Sequence, residues 1–147
     1  MNVELQFVRA GAEHCNLVFS WANDPETRRN SFNTAQIPYT THEGWFMRKI
    51  KEPGCFFFIV MAESIPVGQV RVDVDGEISF NVASASRHGG IGAGIIAALP
   101  ALVKGVGTLV AKVKHENVAS QKCFERNGYE GVGHGDFIEY RLLLEKE

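Results

Sequence analysis

Arg87-His88-Gly89-Gly90-Ile91-Gly92-Ala93-Gly94 is the stretch whose reading decides the fold. A β-rich run, Glu77-Ile78-Ser79-Phe80-Asn81-Val82, precedes it, and a helix-forming run, Ile95-Ile96-Ala97-Ala98-Leu99, follows. Glycines at a strand-to-helix junction leave backbone amides free to face an anion, and the helix N-terminus adds a favourable dipole. The loop reads as a cradle for a phosphate or a pyrophosphate.

Working outward, the order of elements follows from hydrophobic period and turn residues. Leu5 to Val8 is a short apolar run that opens a sheet. Glu13 to Ala22 carries Leu17, Val18 and Trp21 at helical spacing, and Asn23-Asp24-Pro25 stops it. Thr27 to Tyr39 reads as a loop. Thr41 reads as the N-cap of a second helix with Trp45, Phe46 and Ile50 on one face, ended by Pro53-Gly54. Cys55 to Met61, Pro66 to Val74 and Glu77 to Val82 form a three-stranded antiparallel meander, because Glu63-Ser64 and Asp75-Gly76 separate them as hairpin turns. A helix from Gly90 to Lys104 follows, with a kink or early stop expected at Pro100. Thr108 to Lys114 is a strand, Asn117 to Asn127 a helix closed by Gly128, and Tyr129 to Val132 with Phe137 to Leu144 a last strand pair. The expectation is a mixed α/β fold over residues 1–147, one domain, with helices on both faces of one sheet.

Bulk properties narrow the classes. The chain has 147 residues, 45% of them apolar and 22% charged, with a formal net charge of −2, so no electrostatic case for nucleic acid arises. Cys15, Cys55 and Cys123 are far apart without a CxxC pair, which predicts reduced thiols and no metal site. The N-terminus lacks a basic and apolar leader, and the run Ile91 to Val103 is too short for a membrane span, so a cytoplasmic protein is expected.

Two phosphate ligands compete for the loop. Gly92-Ala93-Gly94-Ile95-Ile96-Ala97 formally fits the dinucleotide GxGxxG/A pattern, with Glu116 about 20 residues on. That pattern opens directly at a strand end, however, and its fold needs more βαβ units than this order supplies. The alternative is Arg87-x-x-Gly90-x-Gly92. With its flanking strand and helix, it resembles the acetyl-CoA pyrophosphate loop of the GNAT superfamily of N-acetyltransferases. A second block, Asn117-x-Ala119-Ser120-x-x-x-Phe124-Glu125-x-x-Gly128-Tyr129, resembles the second CoA-contacting segment of that family, in the right order and separation.

The resemblance implies the GNAT fold, mostly antiparallel, and transfer of acetyl from acetyl-CoA to a primary amine by direct attack in a ternary complex, without a metal. It assigns the CoA pyrophosphate to Arg87, His88, Gly89, Gly90, Ile91 and Gly92. The pantetheine arm falls to Asn117, Ser120 and Phe124, and the acetyl end to the strand end Phe80-Asn81-Val82. Glu77 matches a position where several members place a general base, although an ordinary carboxylate is weak in that role. Many members carry a tyrosine, poised at the thiolate, where this chain has Phe124. Phenylalanine donates no proton, which leaves Ser120 as the substitute or the role vacant.

The acceptor side falls to the N-terminal third. Trp21-x-Asn23-Asp24-Pro25-x-x-Arg28 followed by His42-x-x-Trp45-Phe46 is similar to GNAT enzymes that acetylate nucleotide-linked amino sugars in nonulosonate and surface-polysaccharide pathways. It also resembles the ribosomal-protein N-terminal acetyltransferases. The acceptor residues implied are Trp21, Asn23, Arg28, His42 and Trp45; Arg28 or Arg29 has the charge for phosphates, and Trp45, Phe46 or His42 the ring for stacking. A catalytically silent acyl-CoA-binding domain stays open as a third reading, as does a homodimer through the C-terminal strands.

Overall fold

Alternation along one strand explains how this chain builds two cores. The computed structural model describes residues 4–87 and 89–144. In β2 (Phe56–Ala62), Phe57 and Ile59 point to one face and Val60 and Ala62 to the other. The first face packs against α1 (Cys15–Ala22) and α3 (Tyr39–Lys49) through Val18 and Phe46. The second packs against α4 (Ile91–Leu102) and α5 (Val118–Arg126) through Ile95, Ile96, Leu99 and Phe124. Helices therefore lie on both faces, as period and composition imply.

β1 (Leu5–Arg9), β2, β3 (Ile65–Val72) and β4 (Ile78–Val82) pair antiparallel in that order. β5 (Thr108–Lys114), β7 (Phe137–Leu143) and β6 (Glu130–Gly133) form a second sheet, in the order β5-β7-β6. The expectation of one continuous sheet is corrected here. Among the described residues, β4 and β5 meet only at the parallel bridge of Glu77 with Val110, where the Val110 amide donates to the Gly76 carbonyl at 3.0 Å. Gly76 has φ +89°, and a Cβ there would collide with the Thr108 carbonyl oxygen, so the crossing requires glycine.

The element bounds depart from the sequence reading at three places. Asn23-Asp24-Pro25 ends α1 but also starts a short helix, α2 (Pro25–Asn30), in which Asp24 accepts the Thr27 amide at 3.1 Å and Pro25 takes the first position. The stretch read as loop thus contains a helical turn. α3 begins at Tyr39 with Pro38 as its N-cap, not at Thr41. Pro100 does not stop α4 at once: the helix runs on to Leu102, so the proline falls in its last turn.

A half-buried ion cluster pins α3 to the end of β3. Lys49 Nζ reaches Asp73 Oδ1 and Glu52 Oε2 at 2.9 Å each, Arg71 Nε reaches Asp73 at 3.0 Å, and the Arg71 guanidinium lies 4.9 Å from the centre of the Trp45 ring. Burial raises the Asp73 pKa, but the Lys49 hydrogen bond and Arg71 outweigh it and hold the carboxyl below its ordinary value. A depressed carboxylate stabilises the fold above the ordinary carboxylate range and loses that contribution as acid protonates it. Asp73→Asn is expected to lower the unfolding free energy by about 1–3 kcal/mol at neutral pH. The deficit should shrink towards zero in acid, as measured by urea titration at a series of pH values.

Candidate active site

The gap where β4 and β5 diverge opens into a cavity of about 690 Å³. Its walls follow from strand geometry. Asp73 donates to the Glu77 carbonyl and Ala83 to the Val67 carbonyl, so the odd-numbered residues of β4 bond towards β3. The even-numbered residues, Ile78, Phe80 and Val82, therefore turn their amides towards the gap, in line with the Gly76 carbonyl that meets β5. Asn81, expected among the backbone donors, has its amide on the β3 side. Phe80 and Val82 remain as donors.

At one end of the cavity lies the first turn of α4. Gly90, its N-cap, has φ +81°, and no side chain caps the helix. α2 and α5 are capped by Asp24 and Asn117. The first amides of α4 have no intrahelical carbonyl to reach and no side-chain substitute, which is the condition of an anion site. Arg87, Gly90, Ile91 and Gly92 line the cavity, while Gly89 flanks them without lining it, and His88 lies outside the described residues. A pyrophosphate-bearing cofactor fits this end.

The second block faces the first across the gap. Asn117, Ser120 and Phe124 line the cavity from α5. The Asn117 side-chain oxygen accepts the Ser120 amide at 3.3 Å, so this residue caps α5 while presenting the helix to the cavity. Phe124 is almost fully buried, stacked on Tyr140 at 5.5 Å and edge-on to Phe80 and Tyr129 at 5.8 and 5.0 Å. Neither tyrosine lines the cavity. The Tyr140 hydroxyl donates to Glu125 at 2.9 Å, and burial together with that bond pushes its pKa up to about 12. Burial alone raises that of Tyr129.

Glu77 lines the cavity beside the bridge, its carboxylate 3.7 Å from Lys112 Nζ on β5. Sequence reading missed Lys112, Asn30, Ser31 and Phe32, which also line it. The alternation of β5 could have placed Lys112 on the outward face. The other three became legible only with α2.

The five residues expected to bind the acceptor are elsewhere, and none lines the cavity. His42 is 2% exposed, stacked on Phe46 with Nε2 3.1 Å from the Cys15 carbonyl, and burial lowers its pKa although that carbonyl partly opposes the shift. Trp45 lies under Arg71 in the helical core, and the Trp21 carbonyl accepts from the Asn81 side chain at 3.4 Å. Asn23 exchanges two hydrogen bonds with the backbone of Ile37, at 2.8 and 2.9 Å. Arg28, expected to be free for phosphates, instead donates to the carbonyls of Ala22, Asn33 and Ala35. These side chains serve the packing of α1 and α3 and the loop between them instead.

A splayed pair of strands beside an uncapped helix N-terminus is the arrangement that the resemblance to acyl-CoA-dependent transferases implies. A family model described as acetyltransferase (GNAT) domain matches residues 4–130, and the chain belongs to that family. It is an acetyl-CoA-dependent N-acetyltransferase domain. Solved structures share the fold. Spermidine N-acetyltransferase from Vibrio cholerae, in complex with CoA and spermine, has a TM-score of 0.83 at 14% identity, with 95% of each chain covered. An aminoglycoside acetyltransferase, AAC(6')-Ib, with coenzyme A has a TM-score of 0.80 at 17% identity and the same coverage. The ribosomal L7/L12 alpha-N-protein acetyltransferase RimL, with CoA, reaches 0.82 at 13% identity over 97% of each chain. Among curated proteins none matches.

The cradle is sensitive to one missing methyl group. A Cβ on Gly92 would lie 3.0 Å from Cys123 Sγ and 3.4 Å from the Phe80 ring, so alanine there pushes the first turn of α4 off its neighbours. Gly92→Ala is expected to raise the Kd for CoA about tenfold, read by titration calorimetry, because overpacking costs about 1–3 kcal/mol.

Proposed function

We propose that this domain acetylates the primary amine of a nucleotide-linked amino sugar. The observation that carries the reading is the charge around the cavity. Arg87, Lys112, Lys122 and Arg126 line it against only two acids, Glu26 and Glu77. Both acids already have internal partners, Glu26 with Arg87 at 3.1 Å and Glu77 with Lys112 at 3.7 Å. A polycationic acceptor meets excess positive charge and no unpaired lining carboxylate, whereas an acceptor carrying phosphates is attracted. Phe32, 55% exposed and edge-on to Phe137 at 5.8 Å, offers a ring at the rim for a base or sugar face.

Bound acetyl-CoA supplies the thioester carbonyl, whose carbon–sulfur bond breaks as the bond to the amine nitrogen forms. The residues of the chain supply the rest. Glu77 accepts the proton the attacking amine must lose, and the inward amides of Phe80 and Val82 face the developing negative charge. Ser120 carries the hydroxyl on α5 that donates towards the departing sulfur, the role Phe124 cannot fill. Gly90, Ile91 and Gly92 hold the pyrophosphate on backbone amides, and Asn117 presents the end of α5 to the pantetheine arm.

CoA release should be measured with a uridine diphosphate amino sugar, an aminoglycoside, spermidine and an N-terminal peptide. The highest kcat/KM is expected for the nucleotide sugar. A preference for spermidine or the peptide would sink the reading, and binding of CoA without turnover of any amine would identify a silent domain. With the best acceptor, Glu77→Gln is expected to lower kcat about 100-fold with little change in KM. An unchanged kcat would remove Glu77 from the chemistry.

A further inference from the structure

The guanidinium that opens the phosphate loop is not free for phosphate. Arg87 Nη2 donates to Asp24 Oδ2 at 2.6 Å and to Thr27 Oγ1 at 3.4 Å, and Nε lies 3.1 Å from Glu26 Oε2 as an ion pair. The Arg87 and Asp24 side chains are only 17% and 19% exposed, and 63 residues of sequence separate them. The same Asp24 oxygen accepts the Thr27 amide and hydroxyl, so one carboxylate both caps α2 and holds the loop.

α2 is the start of a strap. From Asn23 to Ile37 this segment is held by side-chain to backbone bonds: Asn23 to Ile37, Arg28 to three carbonyls, and Lys114 of β5 to the Arg29 carbonyl at 3.0 Å. Its Thr27, Asn30, Ser31 and Phe32 line the acceptor side of the cavity. Arg87, paired with Asp24 and bonded to Thr27, therefore ties that side directly to the cofactor side.

We propose that Asp24 is a positioning residue: through Arg87 it sets the backbone of the pyrophosphate cradle, and filling the cradle in turn stabilises the strap on the acceptor side against opening. The coupling is reciprocal, because whatever CoA contributes to the stability of the strap the strap returns to CoA affinity. It rests on the reading of Arg87 to Gly92 as the cradle and holds for any acceptor amine.

Asp24→Asn isolates the link, since asparagine still caps a helix while the charge-assisted bond to Arg87 is lost. Binding of CoA alone is expected to weaken about tenfold in this variant. In the unaltered protein, CoA should slow hydrogen exchange of the amides of residues 25–32, and in D24N that protection should vanish. The double variant D24N/R87Q should bind CoA no more weakly than R87Q alone. If D24N does not fold, E26Q serves for the same three measurements, with a smaller effect in the same direction. An unchanged CoA affinity in D24N, with Gly92→Ala weakened, would overturn the link and leave the cradle standing. Unchanged affinity in both would overturn the cradle with it. Equal exchange of residues 25–32 with and without CoA, or additive losses in the double variant, would also overturn the proposal.

Discussion

Among the described residues one isolated bridge, Glu77 with Val110, where the Val110 amide donates to the Gly76 carbonyl, joins the two sheets at the point where they begin to part. Everything that serves as a site follows from its being alone. Further pairing of this kind would close β4 onto β5 and consume the amides of Phe80 and Val82. Glycine at position 76 permits the crossing, because any side chain would meet the Thr108 carbonyl. Glu77 and Lys112 sit immediately beside it, so the polar end of the gap is fixed by the same contact.

The two walls of that gap are built differently. On the α4 side the wall is backbone, with a helix start that no side chain caps. On the α5 side it is a stack of rings in which Phe124 lies between Tyr140, Tyr129 and Phe80. Both tyrosine hydroxyls are withheld from the cavity, and the raised pKa values of both groups mark them as poor proton shuttles near neutrality. The ring stack shapes the α5 side of the gap, and the proposed mechanism accordingly gives proton transfer to Glu77, Ser120 or water.

Much of this was legible in the sequence wherever local chemistry decides the structure. Asp75-Gly76 and Glu63-Ser64 turned the meander, Asn117 capped α5, and Gly128 closed it with φ +83°. The glycine loop announced its bare amides without help from tertiary structure. What was not legible depends on partners distant in sequence. Asp24-Pro25 is equally a helix stop and a helix start, and only Arg87, 63 residues away, shows what the carboxylate is for. His42 and Trp45 look like ligands for a ring until Phe46 and Arg71 are found beside them. Arg28 has the charge to meet a phosphate, but the carbonyls of Ala22 at the end of α1 and of Asn33 and Ala35 in the loop took it first. The split of the sheet was equally hidden, since neither β4 nor β5 carries a residue that forbids pairing.

The narrow join between the sheets has a consequence for the protein in the cell. A ligand lying in the gap touches both halves and acts as mortar between them. At a hundred times its dissociation constant such a ligand adds about 2.7 kcal/mol to the free energy of unfolding. The resistance of the domain to proteases and to heat therefore rises and falls with the supply of its cofactor, and a starved cell would hold a more perishable enzyme than a fed one.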